Sequence, residues 1–224
     1  MTRVAGSGFD IDLFVDILPE LLEGASLTLE LTAASVLIGT LIGLFVGMGR
    51  ISHFKIINVP ATLYVEFIRG TPLLVQIMII YYGLPALGLN LGQMTSGIVA
   101  LSINSGAYVG EIFKAGIKSI KKGQTEASIS LGLNYVQTMR HVILPQATRN
   151  ILPALGNEFI ALLKDSSLVS VIAISELLRR GMLVYSRTYD AWTPLLGVAF
   201  VYICMTIPLS RVVQFMEKRW EIND

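Results

Sequence analysis

Five mainly apolar stretches, near residues 26–48, 59–83, 93–115, 142–164 and 192–215, constrain this chain more than any other feature. Each meets the roughly 20 residues that a helix needs to cross about 30 Å of hydrocarbon. The composition agrees: 53% of residues are hydrophobic and only 15% charged, whereas soluble domains carry about 25% charged residues. Mean hydropathy is +0.65. The expected product is an all-α membrane protein with five transmembrane helices.

Several chemistries are excluded at this level. A net charge of +1 gives no basic field to attract nucleic acid. A single cysteine, Cys204, cannot form an internal disulfide, and with only His53 and His141 beside it no metal-binding signature is present. The glycine-rich phosphate loop of nucleotide hydrolases is missing as well. No catalytic residue, metal site or resident cofactor is expected.

Residues 1–25 are acidic, unlike the positive start of a cleavable leader, and Phe9, Leu13, Ile17 and Leu21 repeat at helical spacing. They predict a short external amphipathic helix at the membrane surface, with the membrane domain covering 26–224. In the first span Gly39, Gly43 and Gly47 form a stripe that lets another helix approach closely. The later spans carry Glu66 and Arg69, Asn104 and Glu111, and Asn157 and Glu158, which must face protein or water.

Lys and Arg set the orientation. Residues 49–58, 114–140 and 211–224 hold ten of them, against five in 1–25, 84–92 and 164–190. The richer set belongs in the cytoplasm, placing the N-terminus outside and the C-terminus inside. Residues 164–190 are then external, and their apolar run 168–178, too short to span, predicts a re-entrant or surface helix capped at Gly181.

The cytoplasmic loop 116–141 predicts two short helices. The first ends at Gly132, a left-handed C-cap; the second begins at Asn134, whose spacing to Gln137 suits a capping box, and Pro145 marks the start of the fourth span. Its string Glu126-Ala127-Ser128-Ile129-Ser130-Leu131-Gly132, followed by Ile143-Leu144-Pro145-Gln146-Ala147, resembles the EAA loop of ABC-importer permeases, with Ser128 where a second alanine is usual. Glu66-Phe67-Ile68-Arg69-Gly70-Thr71-Pro72-Leu73, Asn104-Ser105-Gly106-Ala107-Tyr108 with Glu111, and Lys164-Asp165-Ser166-Ser167-Leu168 resemble the polar amino acid uptake branch of that family.

The resemblance implies a MetI-like permease subunit in the bacterial inner membrane. It also implies a second permease subunit, identical or related, two cytoplasmic ATP-binding subunits, and an external solute-binding protein that delivers an amino acid. ATP and Mg2+ belong to the partner ATPase. Glu126, Ala127, Leu131 and Gly132 are then the coupling residues.

A transported amino acid carries two opposite charges, so its path must offer both signs or oriented dipoles. Asn157, Glu158, Ala161 and Asp165 on span four, Gly70 and Thr71 at an expected break in span two, and Asn104 on span three are the candidate solute residues. Glu158 either contacts solute or pairs with a basic residue such as Arg69. Glu66 and Arg69, three apart, favour a mutually neutralising pair; Glu111 and Lys164 are assigned structural or gating roles. Asp190 and Arg179-Arg180 either contact the delivering protein or form a solvated face. Glu158, Asp165 and Asp190 favour a basic solute such as arginine, lysine or histidine, with glutamine or glutamate as the alternative. An ATP-independent carrier would need an internal repeat, and an intramembrane enzyme a catalytic signature; neither is visible.

Overall fold

The computed structural model describes residues 8–220, and all its regular structure is helical. Arg3 and the rest of residues 1–7, and residues 221–224 of the C-terminal stretch, lie outside the described residues. In chain order the helices are α1 (Ile11–Ile51), α2 (Lys55–Arg69), α3 (Leu73–Met78), α4 (Leu84–Ala86), α5 (Gly92–Lys118), α6 (Lys122–Ser130), α7 (Tyr135–Thr138), α8 (Leu144–Asp165), α9 (Leu177–Thr188) and α10 (Trp192–Trp220). Helices α1 and α10 are long and apolar enough to cross a membrane, and α2 with α3–α4 makes a third if that bent pair counts as one span. Helices α5 and α8, of 27 and 22 residues, have the length but are more polar.

The surface helix expected over residues 1–25 does not form separately. Asp10 caps a 41-residue helix that continues through Pro19 into the first apolar stretch. Its apolar face is used against protein: Ile17, Leu21 and Ala25 are buried with Leu177, Val184, Val198 and Val201 of α9 and α10. Burying that face inside the fold removes the reason for it to lie on lipid.

The glycine stripe of α1 packs on α5. A Cβ added at Gly39 would meet Ser105 at 2.8 Å, and one at Gly43 would meet Val109 at 2.5 Å. Gly106 and Gly110 of α5 reciprocate against Ile42 and Val46, so the two backbones approach closely along most of their shared length.

Between α2 and α3 the axis turns by 103°. Pro72 has no N–H to continue the helix and takes the extended backbone of a cap, as the Gly70-Thr71-Pro72 string predicts. Beyond it, Ile77 joins Leu31, Leu101, Leu162, Val169 and Ile172 in the central apolar cluster, which fixes α3 against α1, α5 and α8.

Two details of the later chain differ from expectation. Residues Met139–Ile143 form a wide π turn that carries α7 without a break into α8. The second loop helix is thus the first turn of the fourth rod, and Pro145 sits in the first turn of α8, where a missing donor is tolerated. Residues 164–190 contain a 3-10 turn, Ser166–Ile172, a left-handed Ala173 and then α9. Gly181 does not cap that helix: it lies inside α9 against Val198, while Glu176 caps the N-terminus and left-handed Tyr189 the C-terminus.

Candidate functional site

The bend between α2 and α3 opens onto a cavity of about 490 Å3. Arg69, Gly70, Thr71 and Pro72 line one side of it; Asn104 and Tyr108 of α5 and Asp165 at the end of α8 complete the polar part. Four of the seven residues proposed from sequence to touch solute, Gly70, Thr71, Asn104 and Asp165, are therefore brought together. The volume lies within the ~300–1,000 Å3 usual for small-molecule sites, and the cavity offers a cation, Arg69, and an anion, Asp165.

Arg69 does not pair with Glu66. The Glu66 carboxylate is exposed and has no ion-pair partner among the described residues. The guanidinium instead reaches Glu111 at 3.7 Å and lies over the Tyr108 ring, 5.2 Å from its centroid. The break explains the difference: α2 ends at Arg69, so its side chain leaves the helical face of Glu66 and turns toward α5. Glu111 also binds the nearly buried Arg50 of α1, and Lys114 at 3.7 Å. Three cations on one carboxylate clamp α1, α2 and α5 together beside the cavity.

Helix α8 divides its polar residues between two places. Glu158 is half-buried beside Ser105, in the field of Arg69 and Asp165, and makes no ion pair within 4 Å among the described residues. The expected alternative, a direct pair with Arg69, is not formed. Asn157 faces away, donating to Glu217 of α10 at 3.2 Å in a second cavity of about 720 Å3 with Gln146, Arg149 and Asn150. Consecutive helical residues point about 100° apart, and here that rotation separates Asn157 from the solute candidates. Ala161 is half-buried and lines neither cavity, and Lys164 is exposed.

Gln76 and Arg50 are central residues that the sequence reading passed over. Gln76 is 6% exposed and bonds both the bend and Asn104. A lone amide four residues after Pro72 in an apolar run was the available signal.

The loop helices carry a different surface. Gly132 has a φ of +84 and closes α6 with bonds from its own N–H to Ile129 and from the Leu133 N–H to Ser128. Asn134 and Gln137 form the reciprocal capping box. Glu126 and Ala127 are exposed, and Leu131 is 83% exposed with Ile129, Tyr135 and Val136 also open. Large apolar side chains exposed together in this way are of the kind that protein or membrane contacts cover.

Asp190 and Arg180 are used within the chain. Asp190 accepts from the N–H groups of Trp192 and Thr193, and Arg180 pairs with Glu23 at 3.2 Å and with Glu20 at 4.0 Å. Glu176, between α8 and α10, is fully buried and accepts from the N–H groups of Leu178 and Arg179 and from the Tyr202 hydroxyl. Burial pushes its carboxyl up to about 7.

The sequence model of the binding-protein-dependent transport system inner membrane component matches residues 17–222. The chain belongs to that family. This permease is 38% identical to the arginine transport system permease protein ArtQ of Bacillus subtilis (strain 168), over 96% of this chain and 99% of the relative. It is 39% identical to the glutamine transport system permease protein GlnP of Escherichia coli (strain K12), with the same coverage. Among solved structures, a chain of an amino acid ABC transporter with histidines superposes with a TM-score of 0.90 at 46% identity, covering 94% of the permease and 98% of that chain. The MetNI methionine ABC transporter, at 21% identity and a TM-score of 0.78, shares the fold.

Proposed function

We propose that this permease passes an amino acid through the cavity at the α2–α3 bend, with the α-carboxylate toward Arg69 and the ammonium toward Asp165 and Glu158. The observation that carries this reading is the convergence of Gly70, Thr71, Asn104 and Asp165 with Arg69 on one cavity. A zwitterion placed there meets opposite charges at its two ends. Five rods serve as five spans, with the N-terminus outside and the C-terminus in the cytoplasm of the inner membrane. Helices α6 and α7 then dock on a cytoplasmic ATP-binding subunit through Leu131 and its exposed neighbours. ATP and Mg2+ are bound and used in that partner, two copies of which serve two permease subunits; a solute-binding protein delivers the amino acid from outside.

The solute favoured is basic, because Asp165 and Glu158 add negative charge beyond what the ammonium needs. Glutamine is the second reading, supported by the near-equal similarity to the arginine and glutamine permeases. Uptake of labelled arginine, lysine, histidine and glutamine by the assembled transporter in proteoliposomes separates the two. Asp165→Asn should weaken uptake of the basic solutes most. Equal uptake by this variant and the native protein would remove Asp165 from the site.

A further inference from the structure

The bend between α2 and α3 leaves carbonyl groups without the next helical N–H, and one buried side chain answers them. Gln76 Nε2 donates to the Ile68 carbonyl at 2.7 Å, the Thr71 carbonyl at 3.1 Å and the Thr71 hydroxyl at 2.9 Å. Carbonyl oxygens only accept, so the nitrogen end of this amide must face the bend. The Thr71 hydroxyl, whose hydrogen goes to Phe67 or Ile68, accepts there too. Gln76 Oε1 therefore points the other way and needs a donor. Asn104 Nδ2 supplies it at 3.1 Å.

Orientation is thereby handed from one amide to the next. With its nitrogen committed to Gln76, Asn104 turns its oxygen away, and Asn104 lines the cavity. No described residue donates to that oxygen. The Asn104 oxygen is thus an unfilled acceptor on a residue of the cavity wall.

We propose that Gln76 is a positioning residue of the solute site. Locked by the carbonyls of the bend, it holds the Asn104 amide oxygen toward the cavity, where that oxygen accepts a hydrogen bond from the solute's α-ammonium. The proposal rests on the reading of this cavity as the amino acid site. Without Gln76, the Asn104 amide is free to rotate and to present Nδ2, which repels an ammonium and suits an uncharged or anionic group.

The test uses the permease assembled with its ATPase subunits in proteoliposomes. The probes are labelled L-arginine and L-glutamine, with the analogues lacking the α-amino group as competitors. A lost hydrogen bond to a charged group corresponds to a change of roughly tenfold or more. Gln76→Leu should raise the KM of whichever amino acid is taken up by about that factor, leave the maximal rate within about twofold, and reduce the preference over the deamino analogue by about tenfold. Gln76→Glu keeps an acceptor for Asn104 but cannot donate to the bend. It should show a smaller loss of that preference, and it serves as the test variant if Gln76→Leu does not assemble. A transporter that loses maximal rate while keeping native discrimination between amine and deamino analogue would overturn the proposal and leave Gln76 a plain structural brace. Asn104→Ala and Asp165→Asn check the underlying site separately. If both bind as the native protein does, the cavity is not the solute site; if they weaken binding while the Gln76 variants do not, the cavity stands and the relay falls.

Discussion

Arg69 at the end of α2 and Glu111 of α5 stand 3.7 Å apart, and the ring of Tyr108, one turn before Glu111, lies beneath the same guanidinium. Arg69 also lines the cavity at the bend. The guanidinium thus lies over an aromatic ring and beside Glu111, while 44% of the side chain stays exposed. A planar fork held near two partners with donors to spare suits two-point recognition of a carboxylate. Arg69→Gln should raise the KM for amino acid uptake by about tenfold, the effect of losing one charge-assisted bond. Arg69→Lys should recover only part of it, since an ammonium cannot form the fork. Uptake kinetics in proteoliposomes decide the matter, and a native KM in both variants would exclude Arg69 from the site.

The second prediction concerns force transmission. Gly132 closes α6 with a φ of +84, a conformation that costs an L-residue with a side chain roughly 1–2 kcal/mol and a β-branched one more. A Cβ at this position meets nothing within 4 Å, so the cost is conformational and local. Gly132→Val should disturb the end of α6, including exposed Leu131, while the distant cavity is untouched. The expected result is a parallel fall in uptake and in transport-stimulated ATP hydrolysis with unchanged equilibrium binding of amino acid. Normal stimulation would count against a docking role for this loop.

The third prediction tests how closely α1 and α5 must approach. At Gly43 even a methyl group would lie 2.5 Å from Val109 and 2.9 Å from the backbone nitrogen of Gly110. Overpacking of this kind costs typically about 1–3 kcal/mol. Gly43→Ala should lower the thermal midpoint of the detergent-solubilised assembly by several degrees. Gly123→Ala, where a Cβ meets nothing, should leave it unchanged. Equal midpoints for the two variants would mean that the helices can separate without loss.

What the sequence revealed and what it hid follow from the range of the interactions. The Gly132 cap, the Asn134–Gln137 box and the break at Pro72 were legible because each is set by residues within four positions along the chain. The glycine stripe said that α1 is closely packed, but its partner α5 is named only by tertiary structure. Helical spacing points Arg69 at Glu66, but the helix ends at Arg69 itself, and the side chain finds Glu111 forty-two positions later. In the sequence Asn157 and Glu158 resemble one site because both are polar at the same depth. Their divergence depends on which neighbours, α10 or α5, flank each side of α8. The expected surface helix at the N-terminus is instead packed on protein, because an amphipathic period specifies a buried face without saying whether lipid or protein covers it.

The last prediction is a pH dependence outside the spans. Glu176 caps α9 through two backbone N–H groups and the Tyr202 hydroxyl, yet it is fully buried with no ion pair among the described residues. Burial outweighs those three bonds and raises its carboxyl from 4.5 to about 7 in the folded protein. The folded state therefore holds the proton more tightly than an undocked α9 does. Its stabilising contribution is complete below about pH 4.5, falls as pH rises through 7, and is absent above that range. A shift of that size corresponds to the order of 3 kcal/mol. Because Thr28 of α1 accepts from the Leu177 N–H, the dependence should appear in the attachment of α9 to α1. Thermal midpoints of the assembly, or hydrogen exchange of the α9 amides, should show greater stability at pH 5.5 than at pH 8. Glu176→Gln cannot ionise and cannot offer two accepting oxygens, so it should be less stable at low pH than the native chain but nearly flat across this range. An undiminished slope in Glu176→Gln would assign the effect to another group.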